Sequence, residues 1–419
     1  MKPGRIPVCR GLLLVAATVL ATGSLHAATP ASKVYELDYR ARFHPEEGAV
    51  AVELEVRQPR SLLRQVQFAF DPKRYGDFSA DGELEVGERE LTWRPPADGG
   101  RLRLTWQPDH RRSSGGYDSL LRASWAVFRG DDLLPPARVR SVKGARSKTQ
   151  LYLEGPSDWS FATPYPKAGS GSGFLVERPD RSFDRPVGWM AAGRLGVRWE
   201  TIADRKVAVA GPVGQGIRRL DMLAFMRWNL PELVQLFPDF PARLLVVSAG
   251  DPMWRGGLSG PSSLYIHAER PLISGNGTST LLHELLHVAQ SYGAERDEDW
   301  IVEGMAEFYT LELMRRSGTI SGARARHGFE RLSEWAEESD GLAGRHSTGA
   351  RTARGVLVMQ NLDREIRRRS DRQYSLDDVA RSLAASGEAV SLLRLRSAAE
   401  SLVGGPLESL SDEQLSPSE

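Results

Sequence analysis

The hydrophobic period of this chain changes near residue 200, and that change limits what it can fold into. From about residue 33 to 160 apolar and polar residues alternate in short runs: VYELDYRARF, AVAVELEVRQ, QVQFAF, RLRLTWQ, ASWAVFRG and TQLYLEG. Successive side chains of a strand point to opposite faces, so each run predicts a half-buried strand. Gly, Pro, Asp and Asn punctuate the runs at roughly strand spacing. Together they predict an antiparallel β-sandwich-like domain over 28–165. The segment YPKAGSGSG, ending at Gly173, is a plausible boundary or loop.

After about residue 200 the period becomes helical. GIRRLDMLAFMRWNLPELVQLF predicts a helix in which Pro231 is a break or a new start. ARLLVVSAG predicts a buried strand, and SSLYIHAE predicts a strand near a sheet edge. A helix is expected from Ser279, with Ser279 or Thr280 as its cap, to a stop at Gly293. A second is expected from about Asp299 to Arg316, before Gly318. Two more follow in ARGVLVMQNLDREIRRR and SLDDVARSLAA, the latter started by Ser375 with Asp378 three residues on. No internal repeat is visible. The expected architecture is therefore multidomain α+β, with an α-rich domain holding a small sheet over 166–405. The mildly acidic tail at 406–419 is expected to be disordered.

The 419 residues are 41% hydrophobic and 26% charged, which suits a soluble globular protein with a real core. A net charge of +1 argues against a nucleic-acid partner, because phosphate binding needs a positive excess on one face. Lys2, Arg5 and Arg10 precede the short apolar run LLLVAATVLA, and small residues surround Ala27 and Ala28. This is the pattern of a secretory signal peptide over 1–27, which predicts a periplasmic or secreted protein. The competing reading, an uncleaved membrane anchor, needs about 20 apolar residues, and the run is shorter. Cys9, the one cysteine, lies before that run, so the mature chain is expected to lack disulfides. Nothing in the sequence indicates an oligomeric state.

The residues with the most chemistry lie in STLLHELLHVAQSYGAERDEDWIVEGMAEFY. His283 and His287 are four apart, so on a helix they share one face with Cβ atoms roughly 6 Å apart. That separation lets two imidazoles meet one zinc ion. Glu284 is turned about 100° around the helix from His283, off the ligand face but within reach of a water beside the metal. Leu281, Leu282, Leu285, Leu286 and Val288 already supply a core face, which leaves the histidines on a separate stripe. A catalytic zinc needs a third protein ligand and one open position. Glu303, on the next helix, is the candidate, with Gly304 allowing the two helices to approach. Glu307, one turn on, is either a hydrogen-bond acceptor for a ligand imidazole or a solvated carboxylate. Asp297, Glu298 and Asp299 are read as solvated or capping.

HELLH followed by WIVEGMAEFY resembles the gluzincin metallopeptidases, above all the glycyl aminopeptidase family and more distantly the aminopeptidase N and leukotriene-hydrolase group. The resemblance implies a thermolysin-like zincin domain that holds one Zn2+ per chain. It makes His283, His287 and Glu303 the ligands and Glu284 the general base of a peptide-bond hydrolysis. GPSDWSFATPYP, RGGLSGPSSLYI and RGVLVMQNLDREIRRRS also resemble segments of the glycyl group. The implied partner is a peptide or protein substrate, held along a strand edge by main-chain hydrogen bonds.

Two departures from that pattern matter. The family's edge-strand motif, typically GGLEH in the glycyl group, carries a Glu for the substrate's free amino group. This chain reads Gly256-Gly257-Leu258-Ser259-Gly260, so aminopeptidase specificity is in doubt. A Tyr that stabilises the oxyanion usually lies three residues before the Gly aligned with Gly355, where this chain has Thr352. Tyr309, Tyr374, His346 and Arg351 are the candidates to replace it. The alternative function is a catalytically weak or inactive peptidase fold that acts as a zinc-containing binding or scaffold module. His267 is read as a surface or satisfied core histidine before a cleft residue, and Asn276-Gly277-Thr278 as a turn into the helix.

Overall fold

The computed structural model describes residues 33–169, 171–176 and 182–416. The signal-peptide reading and Cys9 lie outside the described residues. No helix among the described residues is long and apolar enough to cross a membrane.

All six alternating runs are strands, and burial largely alternates as the side-chain period requires, as in Ala49–Arg57, except in Trp125–Arg129, which is buried on both faces. They fall into three sheets. Val34–His44 and Ala49–Arg57 are central in a six-stranded one, and Leu63–Ala69 lies in a four-stranded one. Trp125–Arg129 lies in a five-stranded one. The pairing is antiparallel except between Val34–His44 and Arg146–Glu154, which run parallel. A parallel pair needs a long crossover, and here nearly the whole unit supplies it.

The β unit also runs past the boundary expected at 165. Phe174–Val176 pairs with Arg146–Glu154, and Trp189–Gly193 pairs with Trp125–Arg129. These runs are short or uninterruptedly apolar, so they carry no period-two signal. Trp189 then anchors the two halves: its N–H donates to Ser263 Oγ at 2.7 Å and its indole lies 5.2 Å from the Tyr265 ring.

The second half holds a five-stranded mixed sheet in the order Leu195–Ile202, Arg205–Pro212, Arg243–Ala249, Ser263–His267, Gly257–Gly260. The expected edge strand SSLYIH is therefore inside the sheet, and the glycine-rich Gly257–Gly260 is the edge. The longer helices are α1 (Arg219–Leu236), α2 (Thr280–Gln290), α3 (Asp299–Arg316), α4 (Gly322–Ala336), α5 (Ala350–Arg369), α6 (Leu376–Ser386) and α7 (Leu392–Val403). They share one core, which includes Leu281, Leu285, Met305 and Met359.

Several local expectations change. Pro231 does not break α1, because it sits on the exposed face where the carbonyl it leaves unbonded meets water. Ser279 is the α2 cap, but the helix ends at Gln290 because Ser291, not Gly293, turns left-handed at φ 52°. Gly304 does not serve the contact of α2 with α3: it meets Gly355 of α5, where an added Cβ would lie 2.7 Å from the Gly355 carbonyl carbon. The tail expected to be disordered is ordered as far as it is described. Leu407 and Leu410 are buried, and Glu365 accepts hydrogen bonds from the Glu408 and Ser409 amides. Two leucines with a core to enter outweigh the polar composition around them.

Candidate metal centre

The site is built on the facing sides of α2 and α3. Ser279 Oγ accepts from the Leu282 N–H and starts α2, whose leucines bury themselves in the helical core. That burial fixes the rotation of α2 and turns His283 and His287 toward α3. Asp299 starts α3 and accepts the Ser347 N–H at 2.8 Å, which ties the loop before α5 to the same end of the helix.

His283 Nε2 lies 3.0 Å from His287 Nε2 and 3.1 Å from Glu303 Oε2, and His287 Nε2 lies 3.4 Å from Glu303 Oε1. A tetrahedral zinc with bonds of about 2.0–2.2 Å sets its ligand atoms about 3.3–3.6 Å apart. The three donors stand close to that spacing, and all lie within 4.8 Å of one another. Two imidazole nitrogens and a carboxylate are also a donor set that zinc prefers. The residues therefore fit the ion that the resemblance implies. Glu307 Oε2 lies 2.9 Å from His283 Nδ1. With Nδ1–H donating there, the Nε2 lone pair is left facing the other two donors.

The electrostatics follow from this crowding. Burial opposes the charge on Glu303, but hydrogen bonds from His283 and His287 outweigh it and hold the carboxyl well below its usual range. Burial likewise opposes the charged His283 imidazole, and its bonds to Glu303 and Glu307 raise it well above the usual histidine range. Glu284 differs: burial raises its pKa, and His287 and His283 pull back only part of the rise. Its side chain is 7% exposed and accepts a hydrogen bond from the Ser259 backbone. The edge strand can come this near because Gly257 lacks a Cβ, which would lie 2.6 Å from Glu284 Cγ.

Two cavities flank these residues. One, of about 280 Å³, is lined by His283, Glu284, Glu303, Glu307, Trp254, Trp335, Arg270, Thr352 and the Ser347–Gly349 loop, among others. The other is lined by His287, Glu303, Ser259, Gly260 and Tyr292 among others.

The structure brings His283, Glu284, His287, Glu303 and Glu307 together. Tyr309 is not with them. It is fully buried, its hydroxyl donates to Asp377 at 3.0 Å, and it lines neither cavity. Tyr374 also lines neither and packs on the helical core. His346 is exposed, and Arg351 pairs with Asp340. His267 is 1% exposed in the sheet, behind the edge strand, and Asn276 closes a turn through its bonds to Thr278. Sequence reasoning did not find Tyr292, Trp254, Trp335 or Arg270. They reach the cavities from loops or from a helix without a motif of its own, so no spacing marks them.

No family model matches the sequence, and no curated protein matches it. Solved structures do resemble the fold. An aminopeptidase N family protein from Idiomarina loihiensis matches with a TM-score of 0.63 at 14% identity, over 84% of this chain and 70% of that one. An M1 zinc metallopeptidase from Deinococcus radiodurans matches with a TM-score of 0.57 at 16% identity, over 88% and 90%. At these identities what is shared is the fold, a multidomain α+β architecture. The first of them is named for the aminopeptidase N group that the sequence also resembles.

Proposed function

We propose that a protein with this metallopeptidase-type fold is itself a zinc-dependent peptidase, with Glu284 as its general base. The observation that carries the reading is the convergence of three metal-type donors beside a buried carboxylate that pairs with no cation outside the site and lines a cavity. His283, His287 and Glu303 would hold one zinc ion per chain. When bound there, zinc supplies Lewis acidity, making a water easier to deprotonate and a carbonyl easier to attack.

The chain's own residues supply the rest. Glu284 takes a proton from the attacking water at its carboxylate and delivers it to the leaving amine. Its raised pKa suits both halves of that transfer, since a base nearer neutrality also serves as an acid. The Ser259 N–H orients the carboxylate, and Glu307 holds the His283 ring. The Gly257–Gly260 edge is positioned for an extended peptide, which it would bind by main-chain hydrogen bonds. Ser259 stands where the resemblance has a Glu for a free amino group. An amino terminus therefore finds no carboxylate there, and blocked peptides should be cut as readily as free ones.

A second reading is a zinc-holding binding module with little turnover. It is favoured by the cavity beside Glu284, whose lining includes no tyrosine hydroxyl and has Thr352 instead. The two readings separate on peptides with free and blocked amino termini, assayed with the zinc-loaded protein and with Glu284→Gln. Zinc-dependent cleavage that disappears in the variant supports the peptidase. Equal behaviour of the two proteins, with zinc bound, supports the module. Export to the periplasm or medium belongs to the same proposal through the leader read at 1–27. Amino-terminal sequencing of the fractionated protein tests it.

A further inference from the structure

We propose that the cavity beside Glu284 takes a substrate carboxylate, bound by Arg270. The inference rests on the peptidase reading for its context and deepens it by naming what the substrate carries. The argument is one of charge. The carboxylates that line this cavity are committed: Glu303 and Glu307 bond imidazole nitrogens, and Glu284 accepts from the Ser259 backbone. Arg270 is the one cationic residue that lines the cavity apart from the histidines. It is exposed, and among the described residues its guanidinium has no ion pair or hydrogen bond. Only its main chain is engaged, the carbonyl accepting from Arg218.

Three arginines next in sequence to other lining residues behave differently. Arg255 pairs with Asp251 and Glu269, Arg331 with Glu334, and Arg351 with Asp340. A guanidinium left unpaired in the lining of this cavity presents five donors in a fork that matches a carboxylate. Trp254 and Trp335 add flat apolar surface to the same cavity. The Trp335 indole closes over Gly349, where a Cβ would lie 3.2 Å from its ring. The bland account of Arg270 is a solvated surface charge. It explains the exposure but not why the one free cation of this wall lines the cavity that holds the base.

Two sources carry a carboxylate: an acidic side chain, and the carboxyl terminus of the peptide. The test uses two pairs of short acetylated peptides. One pair has an amidated end and differs by a single Glu or Gln. The other has no acidic side chain and ends in a free acid or an amide. Within each pair kcat/KM is compared for the wild-type protein and Arg270→Gln, with circular dichroism as the check on folding.

We expect wild type to favour the acid member of at least one pair by about tenfold or more, and Arg270→Gln to bring that ratio near one. The pair that responds identifies the source. Binding of the same peptides to zinc-loaded Glu284→Gln, with and without Arg270→Gln, is measured by calorimetry and does not depend on turnover. A carboxylate preference in binding that Arg270→Gln removes, with no cleavage by wild type, keeps this proposal and sinks the peptidase reading. Cleavage with equal ratios in wild type and Arg270→Gln does the reverse. No preference in either assay overturns the carboxylate site.

Discussion

Gly304 of α3 and Gly355 of α5 pack backbone to backbone. A Cβ on the first would lie 2.7 Å from the Gly355 carbonyl carbon, and one on the second 2.8 Å from the Trp300 carbonyl oxygen. Glu303 is the residue before Gly304, so this crossing helps to set how far its carboxylate reaches toward α2. Backbone atoms cannot swing aside as a side-chain tip can. Gly304→Ala should therefore push the helices apart and destabilise the fold by roughly 1–3 kcal/mol. Denaturant titration should show the lower midpoint, with weaker zinc retention alongside it. Wild-type stability and retention would mean the contact is looser than its geometry.

The bond from His283 to Glu307 predicts an effect on the metal rather than on the fold. Glu307→Gln keeps the size of the side chain and loses the charge that fixes the imidazole tautomer. Zinc affinity, measured by competition with a chelator, should fall about 10–100-fold with the melting curve of the metal-free protein little changed. An unchanged affinity would leave Glu307 as no more than a partly solvated acid.

Glu284→Gln should retain a full equivalent of zinc and lose peptide cleavage by about 10²–10⁴-fold, the usual worth of a positioned base. Metal analysis and a peptide assay on one preparation decide this. Loss of zinc along with activity would point to a structural part for Glu284 instead.

Asp377 gives a prediction in pH. Burial opposes its charge, but bonds from Arg316, at 2.7 and 2.9 Å, and from Tyr309 hold its carboxyl below the usual 3.8. A carboxylate depressed in the folded state adds stability that is fully present above its unfolded pKa and fades as pH falls through the folded value. Asp377→Asn should therefore be less stable than wild type near neutrality by about 1–3 kcal/mol, with the gap narrowing toward strong acid. Denaturation midpoints across pH test this, and a gap constant with pH would contradict it.

The same Tyr309 shows where reading from sequence stopped. It lies two residues beyond Glu307, which makes it a natural candidate for the cleft. Two positions along a helix turn a side chain about 200°, so it points into the core against Phe237 and Asp377. The true sheet edge escapes the sequence for a related reason. SSLYIH alternates like an edge, yet GLSG, with two glycines in four residues and no strand signal, covers it. Gly257 is there because Glu284 needs the space, a demand invisible until the strand and α2 are packed together.

What the sequence determined by itself was local. It carried six strands of the β unit, the five helices it marked, and the shared face of His283 and His287, because strand and helix periods fix which side chains are neighbours a few residues apart. The tertiary structure alone decided the distances among residues far apart in the chain. These include the approach of Glu303 to the imidazoles, the Gly304–Gly355 crossing, the packed tail, and a cavity wall that holds Arg270. Such distances follow from how whole buried faces interlock. That is a property of the assembled core, and no single spacing encodes it.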